Sequence, residues 1–309
     1  MTTLILGHPA CLAHDPGPGH PESPARLAAV LRALDGLDPD KWVLREAPCA
    51  SPEQLALAHD RAHVARVLGA VPREGHAYLD HETVVCPASG EAALRAAGAA
   101  VAAVDAVLAD EAANAFCAVR PPGHHAGRAR AMGFCVFNSI AIGALHARAA
   151  HGLARVAVVD FDVHHGNGTE SLFRGVPGLF YGSSHEFPAY PGTGARSDSR
   201  PGAIIDVPLA PMSGGPAFRA AWSDEILPAL EAFAPELILV STGFDGHRKD
   251  PLSTLELEVA DFTWAIAEIR RVAEDVCGGR LVSVLEGGYD LGVLADATRA
   301  HLAVLAAPG

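Results

Sequence analysis

Short apolar runs recur along the chain, and each is followed by a segment of helical period. Residues 3–7, 115–119, 156–159, 179–182, 204–209, 237–240 and 281–285 read as strands. The run Leu237-Ile238-Leu239-Val240 has no polar alternation, as expected of a parallel strand buried on both faces. Between the strands, apolar residues three and four apart mark helices. One holds Leu27, Val30, Leu31 and Leu34 around Arg26; an alanine-rich one runs from Ser89 to about residue 110. Others carry Ile140, Ile142, Leu145 and His146 behind the cap Asn138, then Trp222, Ile226 and Leu230 after Gly214-Gly215-Pro216, then Val259, Phe262, Ile266 and Ile269 up to Gly278-Gly279. No repeat, low-complexity tract or linker breaks the alternation. The expectation is an α/β fold with a central, mainly parallel sheet and helices on both faces, formed as a single domain over residues 1–309.

Four of these strands end alike, in a turn rich in glycine and in chemistry. The first turn is Arg120-Pro121-Pro122-Gly123-His124-His125-Ala126-Gly127, and the second Asp160-Phe161-Asp162-Val163-His164-His165-Gly166-Asn167-Gly168-Thr169. The third is Ser241-Thr242-Gly243-Phe244-Asp245-Gly246-His247, and the fourth Glu286-Gly287-Gly288-Tyr289-Asp290. Ligands of open α/β sheets bind outside the carboxyl ends of the strands. His124, His125, Asp162, His164, Asp245 and Tyr289 are therefore expected along one edge. On an extended chain residues i and i+2 point to one side, which lets Asp162 and His164 converge.

Such residues also serve as turn formers and solvated surface groups, and His124 and His125 read either as a proton-transfer pair or as two exposed imidazoles. Repetition at four strand ends favours a site. Asp162 and Asp245 lie 83 residues apart (245 − 162), so joining them asks for one domain. Two carboxylates and one imidazole leave room for water, the arrangement of catalytic rather than structural zinc, and suit hydrolysis of an amide or ester. The positions two beyond His164 and Asp245 are Gly166 and His247, so a single metal is expected.

Composition narrows the class. Half of the 309 residues are apolar and 19% are charged, the balance of a compact protein. A net charge of -13 argues against a broad basic face, and so against a direct nucleic-acid partner. No uncharged apolar stretch reaches the length of a membrane span, and Arg95 and Asp105 keep the alanine-rich helix out of a bilayer. Six scattered cysteines suit free thiols in a reducing compartment, and Leu4-Ile5-Leu6 follows no basic leader. A cytoplasmic protein without a signal peptide is expected. The loop histidines His8, His14 and His20 are expected to be solvated or hydrogen-bonded rather than ligands.

Together, Arg120-Pro121-Pro122-Gly123-His124-His125-Ala126, Gly133-Phe134-Cys135, the run from Asp160 to Thr169, Gly243-Phe244-Asp245 and Glu286-Gly287-Gly288-Tyr289 resemble the zinc-dependent histone deacetylase family. The likeness holds in order and spacing over nearly the whole chain, and Asn167 makes it that of the class II and bacterial branch. It implies the three-layer arginase/deacetylase fold and an acyl-lysine-type amide substrate, on a protein, a peptide or a small N-acyl amine such as an acetylpolyamine. It implies Zn²⁺ on Asp162, His164 and Asp245, with His125 as general base and His124 as its electrostatic partner, held by Asp160. Tyr289 matches the donor to the oxyanion opposite the metal; relatives with histidine there are weak on acetyl-lysine, so tyrosine implies an active enzyme rather than an idle acyl-lysine binder.

Relatives often carry aspartate where Asn167 lies, so His125 is expected to lack a second anionic partner. Potassium, by resemblance, would sit on Asp160, Asp162, His164, Ser183 and Ser184, largely through backbone oxygens. Gly133, Phe134 and Tyr190 would line the channel for an alkyl stem. Polyamine-preferring relatives place a glutamate where Leu252 stands, so leucine favours a lysine side chain or a neutral acyl amide. Asp80 or Glu82 is the expected rim carboxylate, and homo-oligomerisation is left open.

Overall fold

The computed structural model describes residues 2–35, 38–200 and 203–307. In chain order its strands are β1 (Thr3–Gly7), β2 (Trp42–Glu46), β3 (Ala77–Tyr78), β4 (Val84–Val85), β5 (Asn114–Cys117), β6 (Val156–Asp160), β7 (Leu179–Glu186), β8 (Ile204–Leu209), β9 (Leu237–Thr242) and β10 (Leu281–Leu285). The short β3 and β4 pair antiparallel. The other eight form one sheet in the order β2-β1-β5-β10-β9-β6-β7-β8, with every pairing parallel. Every residue of β1, β5, β6, β7, β9 and β10 is buried, which is why these strands read as apolar runs.

The helices are α1 (Pro9–Ala13), α2 (Pro24–Leu34), α3 (Pro52–Ala58), α4 (Arg61–Ala70), α5 (Ser89–Leu108), α6 (Ser139–His151), α7 (Asn167–Phe173), α8 (Gly215–Ala221), α9 (Leu227–Phe233), α10 (Val259–Cys277) and α11 (Leu291–Leu305). Helices α5 and α6 pack on one another and on the centre of the sheet, while α2, α11, α10 and α9 make a second connected group, giving the expected helix–sheet–helix arrangement. No helix among the described residues is long and apolar enough to cross a membrane.

Several elements go beyond the expected pattern. Strand β2 lies at the sheet edge with Val43 and Leu44 about half exposed, so it lacks the buried character that marks its neighbours. Strand β5 ends at Cys117, earlier than residue 119, and β7 runs on to Glu186. The helix expected around Trp222 is interrupted by a π-helical turn, Trp222–Ile226, between α8 and α9. Helix α7 begins at Asn167, where the glycines had suggested a turn. His14 takes the hydrogen-bonded course, buried with Nδ1 2.7 Å from Ser89 Oγ, and Cys49 alone of the six free cysteines is exposed.

Candidate active site

The four site-bearing strands β5, β10, β9 and β6 are consecutive neighbours in the sheet, so their carboxyl ends adjoin. Strand β6 ends at Asp160, and the residues after it leave the extended conformation. Convergence of Asp162 and His164 therefore comes from a side-chain-braced loop instead of strand alternation. Asp160 Oδ1 accepts the Asp162 N–H at 3.1 Å, and Asp162 Oδ1 accepts that of His164 at 2.9 Å. Across the sheet Asp245 Oδ1 accepts the Val163 N–H at 2.9 Å, and the Gly287 N–H reaches Asp162 Oδ2 at 2.8 Å. A Cβ at Gly243 would overlap the Asp162 carboxylate, and one at Gly287 those of both Asp162 and Asp245, so the close approach requires glycine.

Asp162, His164 and Asp245 form one of four groups, among the described residues, whose potential ligand atoms all lie within 4.8 Å of one another. His164 Nδ1 stands 3.3 Å from Asp162 Oδ1 and 3.1 Å from Asp245 Oδ2. Burial disfavours a charged imidazole, yet the two carboxylates outweigh it and raise the proton affinity of His164 well above the ordinary value. Burial likewise works against the Asp162 anion, and His124 and His164 overcome it to hold the carboxyl below its usual range. A buried trio that draws in a proton to balance two carboxylates has the donor set and the charge to accept a divalent cation instead.

Beside the trio the two adjacent histidines are drawn apart in basicity. His124 Nδ1 lies 3.0 Å from Asp160 Oδ2. Burial opposes its charge, but Asp162 and Asp160 prevail and raise it to about 10. His125, its ring centre 4.0 Å away, is lowered well below the ordinary value by burial, then by His124 and His164. His125 Nδ1 meets Asn167 Oδ1 at 2.8 Å, so this nitrogen carries the proton and Nε2 keeps its lone pair.

A histone deacetylase domain matches residues 20–305. The chain belongs to the histone deacetylase family. It is 42% identical to the histone deacetylase-like amidohydrolase of Pseudomonas aeruginosa over 278 residues, covering 88% of this chain and 73% of that one. Histone deacetylase 14, chloroplastic, of Arabidopsis thaliana is 39% identical over 324 residues, 97% of this chain and 76% of the relative. The crystal structure of the HDA15 HD domain superposes with a TM-score of 0.92 at 32% identity, over 99% of this chain and 88% of that one. The fold is thus that of the deacetylases.

In this deacetylase-family chain Tyr289 sits on the turn after β10, under Arg26 and edge-on to Phe134 at 6.0 Å between ring centres. Burial raises the phenol well above its usual value; Arg26 pulls the other way, and Asp245 and Asp162 add to the rise. Gly133 is buried against the His125 imidazole, and Tyr190, partly exposed, stands 5.2 Å edge-on to the same ring. Glu82 and Phe134 border a cleft of about 580 Å³ with His20 and Tyr78. The Tyr190 phenol is raised by burial and then by Glu82, which places that carboxylate at the same mouth, whereas Asp80 is spent on the Glu82 and Thr83 N–H groups. Leu252 is exposed and follows Asp250. Ser183 and Ser184 are buried on β7 beside Asp160, with hydroxyls engaged by His185 and the Trp222 indole, and this arrangement does not single out a monovalent ion.

Three further acidic residues position the site, and of these only Glu286 belongs to a motif, which by itself assigns it no role. Glu286 Oε2 accepts the Gly123 and His124 N–H groups at 2.6 and 3.1 Å, and burial pushes its carboxyl up to about 7. Asp250 Oδ2 accepts the Tyr289 N–H at 2.7 Å. Glu22 binds Arg26 and Arg120 in the interior, with His14 Nε2 3.3 Å away. In the sequence each shows only as an acidic residue beside glycine or proline.

Proposed function

We propose that this member of the histone deacetylase family is a zinc-dependent hydrolase, with residues 1–309 as one catalytic domain. Its substrate is a lysine side chain or similar amine bearing an acetyl or other short acyl group. The observation that carries the reading is the split pair: a neutral His125 and a charged His124 flanking a trio of metal-type donors. Two titratable neighbours driven apart in pKa are fitted to different roles, here a base and a fixed positive charge.

Asp162, His164 and Asp245 would hold the zinc, which when bound acidifies a water and polarises a carbonyl. His125 takes a proton from the attacking water at Nε2 and returns it to the departing amine, while Asn167 holds Nδ1–H and keeps the ring in register. His124, clamped by Asp160, keeps its positive charge beside the developing negative charge. Tyr289 donates its hydroxyl to the oxyanion, a contact whose loss typically costs on the order of 10²–10³ in rate. Phe134 and Tyr190 flank the entering alkyl stem, and uncharged Leu252 gives a second ammonium no partner.

The test is to incubate the purified chain with a fluorogenic acetyl-lysine peptide and with acetylated putrescine, with and without a hydroxamate chelator. Hydroxamate-sensitive turnover of the peptide is expected. Preference for the diamine would replace the substrate class with a small polyamine, and turnover of neither by metal-loaded protein would point to a binder.

A further inference from the structure

Immediately after His164 the chain turns a second imidazole away from the catalytic trio. His165 is fully buried, with Nε2 2.9 Å from Glu170 Oε2 and 3.3 Å from Asp206 Oδ1. Glu170 comes from the first turn of α7 and is 6% exposed; Asp206 comes from β8 and is 1% exposed. The three make another of the close donor groups, and the mechanism uses none of them.

Hydrogen bonding does not account for the cluster. Among the described residues His165 Nε2 and both Asp206 carboxylate oxygens have no hydrogen-bond partner, despite the short distances from Nε2 to Glu170 and Asp206. A hydrogen bond needs its acceptor near the N–H axis. A coordinated cation instead occupies that axis, with the other donors arranged around it. Ligands about 2.0–2.1 Å from a tetrahedral ion stand about 3.3 Å apart. The spacings here, 2.9 and 3.3 Å, resemble the 3.1 and 3.3 Å within Asp162, His164 and Asp245.

The surroundings fit the same reading. His165 Nδ1 lies 2.8 Å from Thr193 Oγ1, the kind of outer hydrogen bond that fixes the tautomer of a ligating imidazole. Arg174 pairs with Glu170 through Oε1, which leaves Oε2 facing the cluster. Neighbouring His185 gives Nε2 to the Gly194 carbonyl at 2.7 Å and so adds no donor. Glu170 also borders a cleft of about 410 Å³ with His125, Asn167 and Arg174, which offers an ion a way in.

We propose that His165 Nε2, Glu170 Oε2 and Asp206 Oδ1 bind a second divalent transition-metal ion. It ties the first turn of α7 to β8 and to the loop that carries His164.

The experiment strips the purified full chain with chelator, titrates it with Zn²⁺, and reads stoichiometry by calorimetry and by elemental analysis after dialysis. Wild type is expected to retain two equivalents. Asp206→Asn and Glu170→Gln, each nearly isosteric, should retain one, and Asp206→Asn combined with Asp245→Ala none. Loss of one equivalent in Asp206→Asn but not in Asp245→Ala would support this site while removing the catalytic-zinc reading. Saturation of wild type at one equivalent that Asp206→Asn and Glu170→Gln both retain would overturn the proposal. So would wild-type stoichiometry in both single variants. Anomalous scattering from zinc-soaked wild-type crystals reads the same question without a variant: a peak among the three side chains supports the site, and its absence refutes it.

Discussion

The guanidinium carbon of Arg26 stands 4.8 Å from the centre of the Tyr289 ring. From there its Nε donates to the Gly288 carbonyl and its Nη2 to that of Glu286, both at 2.6 Å. One side chain of α2 thus fastens the turn that presents Tyr289, while Nη1 binds buried Glu22 at 2.9 Å. Arg26→Met keeps bulk but leaves Glu22 short of a cation and two carbonyls short of donors. It is expected to cost on the order of 3 kcal/mol in urea unfolding and to lower kcat. Wild-type stability would contradict this account of the turn.

Tyr289 and Asp245 should separate on two readouts. Tyr289→Phe is expected to lower kcat by about 10²–10³ with bound zinc unchanged. Asp245→Ala removes a carboxylate that accepts the Val163 N–H and faces His164, so it should lose activity and one metal equivalent together. Equal metal loss in the two variants would reverse the assigned roles.

Asn167→Asp would put an anion where an amide oxygen now meets His125 Nδ1 at 2.8 Å. Its charge favours imidazolium, so the pKa of His125 rises. A base must be neutral to accept a proton, so the acidic limb of the kcat/KM profile should move to higher pH, by about one unit. An unmoved limb would remove His125 from the role of base.

Three buried histidines set an acid limit on stability. Burial lowers His59 and His185 to about 4 and His301 to about 3. His59 shows why its proton is refused: Nδ1 faces the Gly127 carbonyl at 2.9 Å while Nε2 accepts the Asn138 N–H at 2.9 Å, and a second proton would displace that donor. Between the folded values and the unfolded value near 6.5 the unfolded chain binds more protons, so stability rises with pH there. The contribution is complete above about 6.5 and falls away toward 4, by up to about 1.4 kcal/mol per unit for each histidine. His124 and His164, whose folded values lie above the unfolded one, are protonated in both states below about pH 6, so urea midpoints of chelator-treated protein at pH 6, 5.5 and 5 should fall in that order; a flat series would refute it.

The strands that carry the site were legible because they lie inside the sheet, where burial on both faces produces unbroken apolar runs such as Leu237 to Val240. Strand β2 was not, because an edge strand needs no such run. Helix α11 went unread although Asp290 caps it through the Val293 N–H, a signal visible in the sequence. The trio was readable from glycine-flanked Asp and His at strand ends. The roles of Glu22, Asp250 and Glu286 were not, although Glu286 opens the last motif, since each works through backbone groups or buried arginines that only the fold brings near; Arg26 and Gly288 are 262 residues apart. The helical start at Asn167 also hid Glu170, and with it the partner of His165.

Strand β10 is the last of the sheet to be synthesised, yet it lies between β5 and β9. Until it emerges, a nascent chain holds two half-sheets with facing unpaired edges, the kind of surface that invites misassembly and chaperone capture. Asp162, His164 and Asp245 follow β6 and β9 in one half, whereas His124 and His125 follow β5 in the other. Asp162, His164 and Asp245 can therefore meet before His124 and His125 join them, and the final strand acts as the stitch between the two halves.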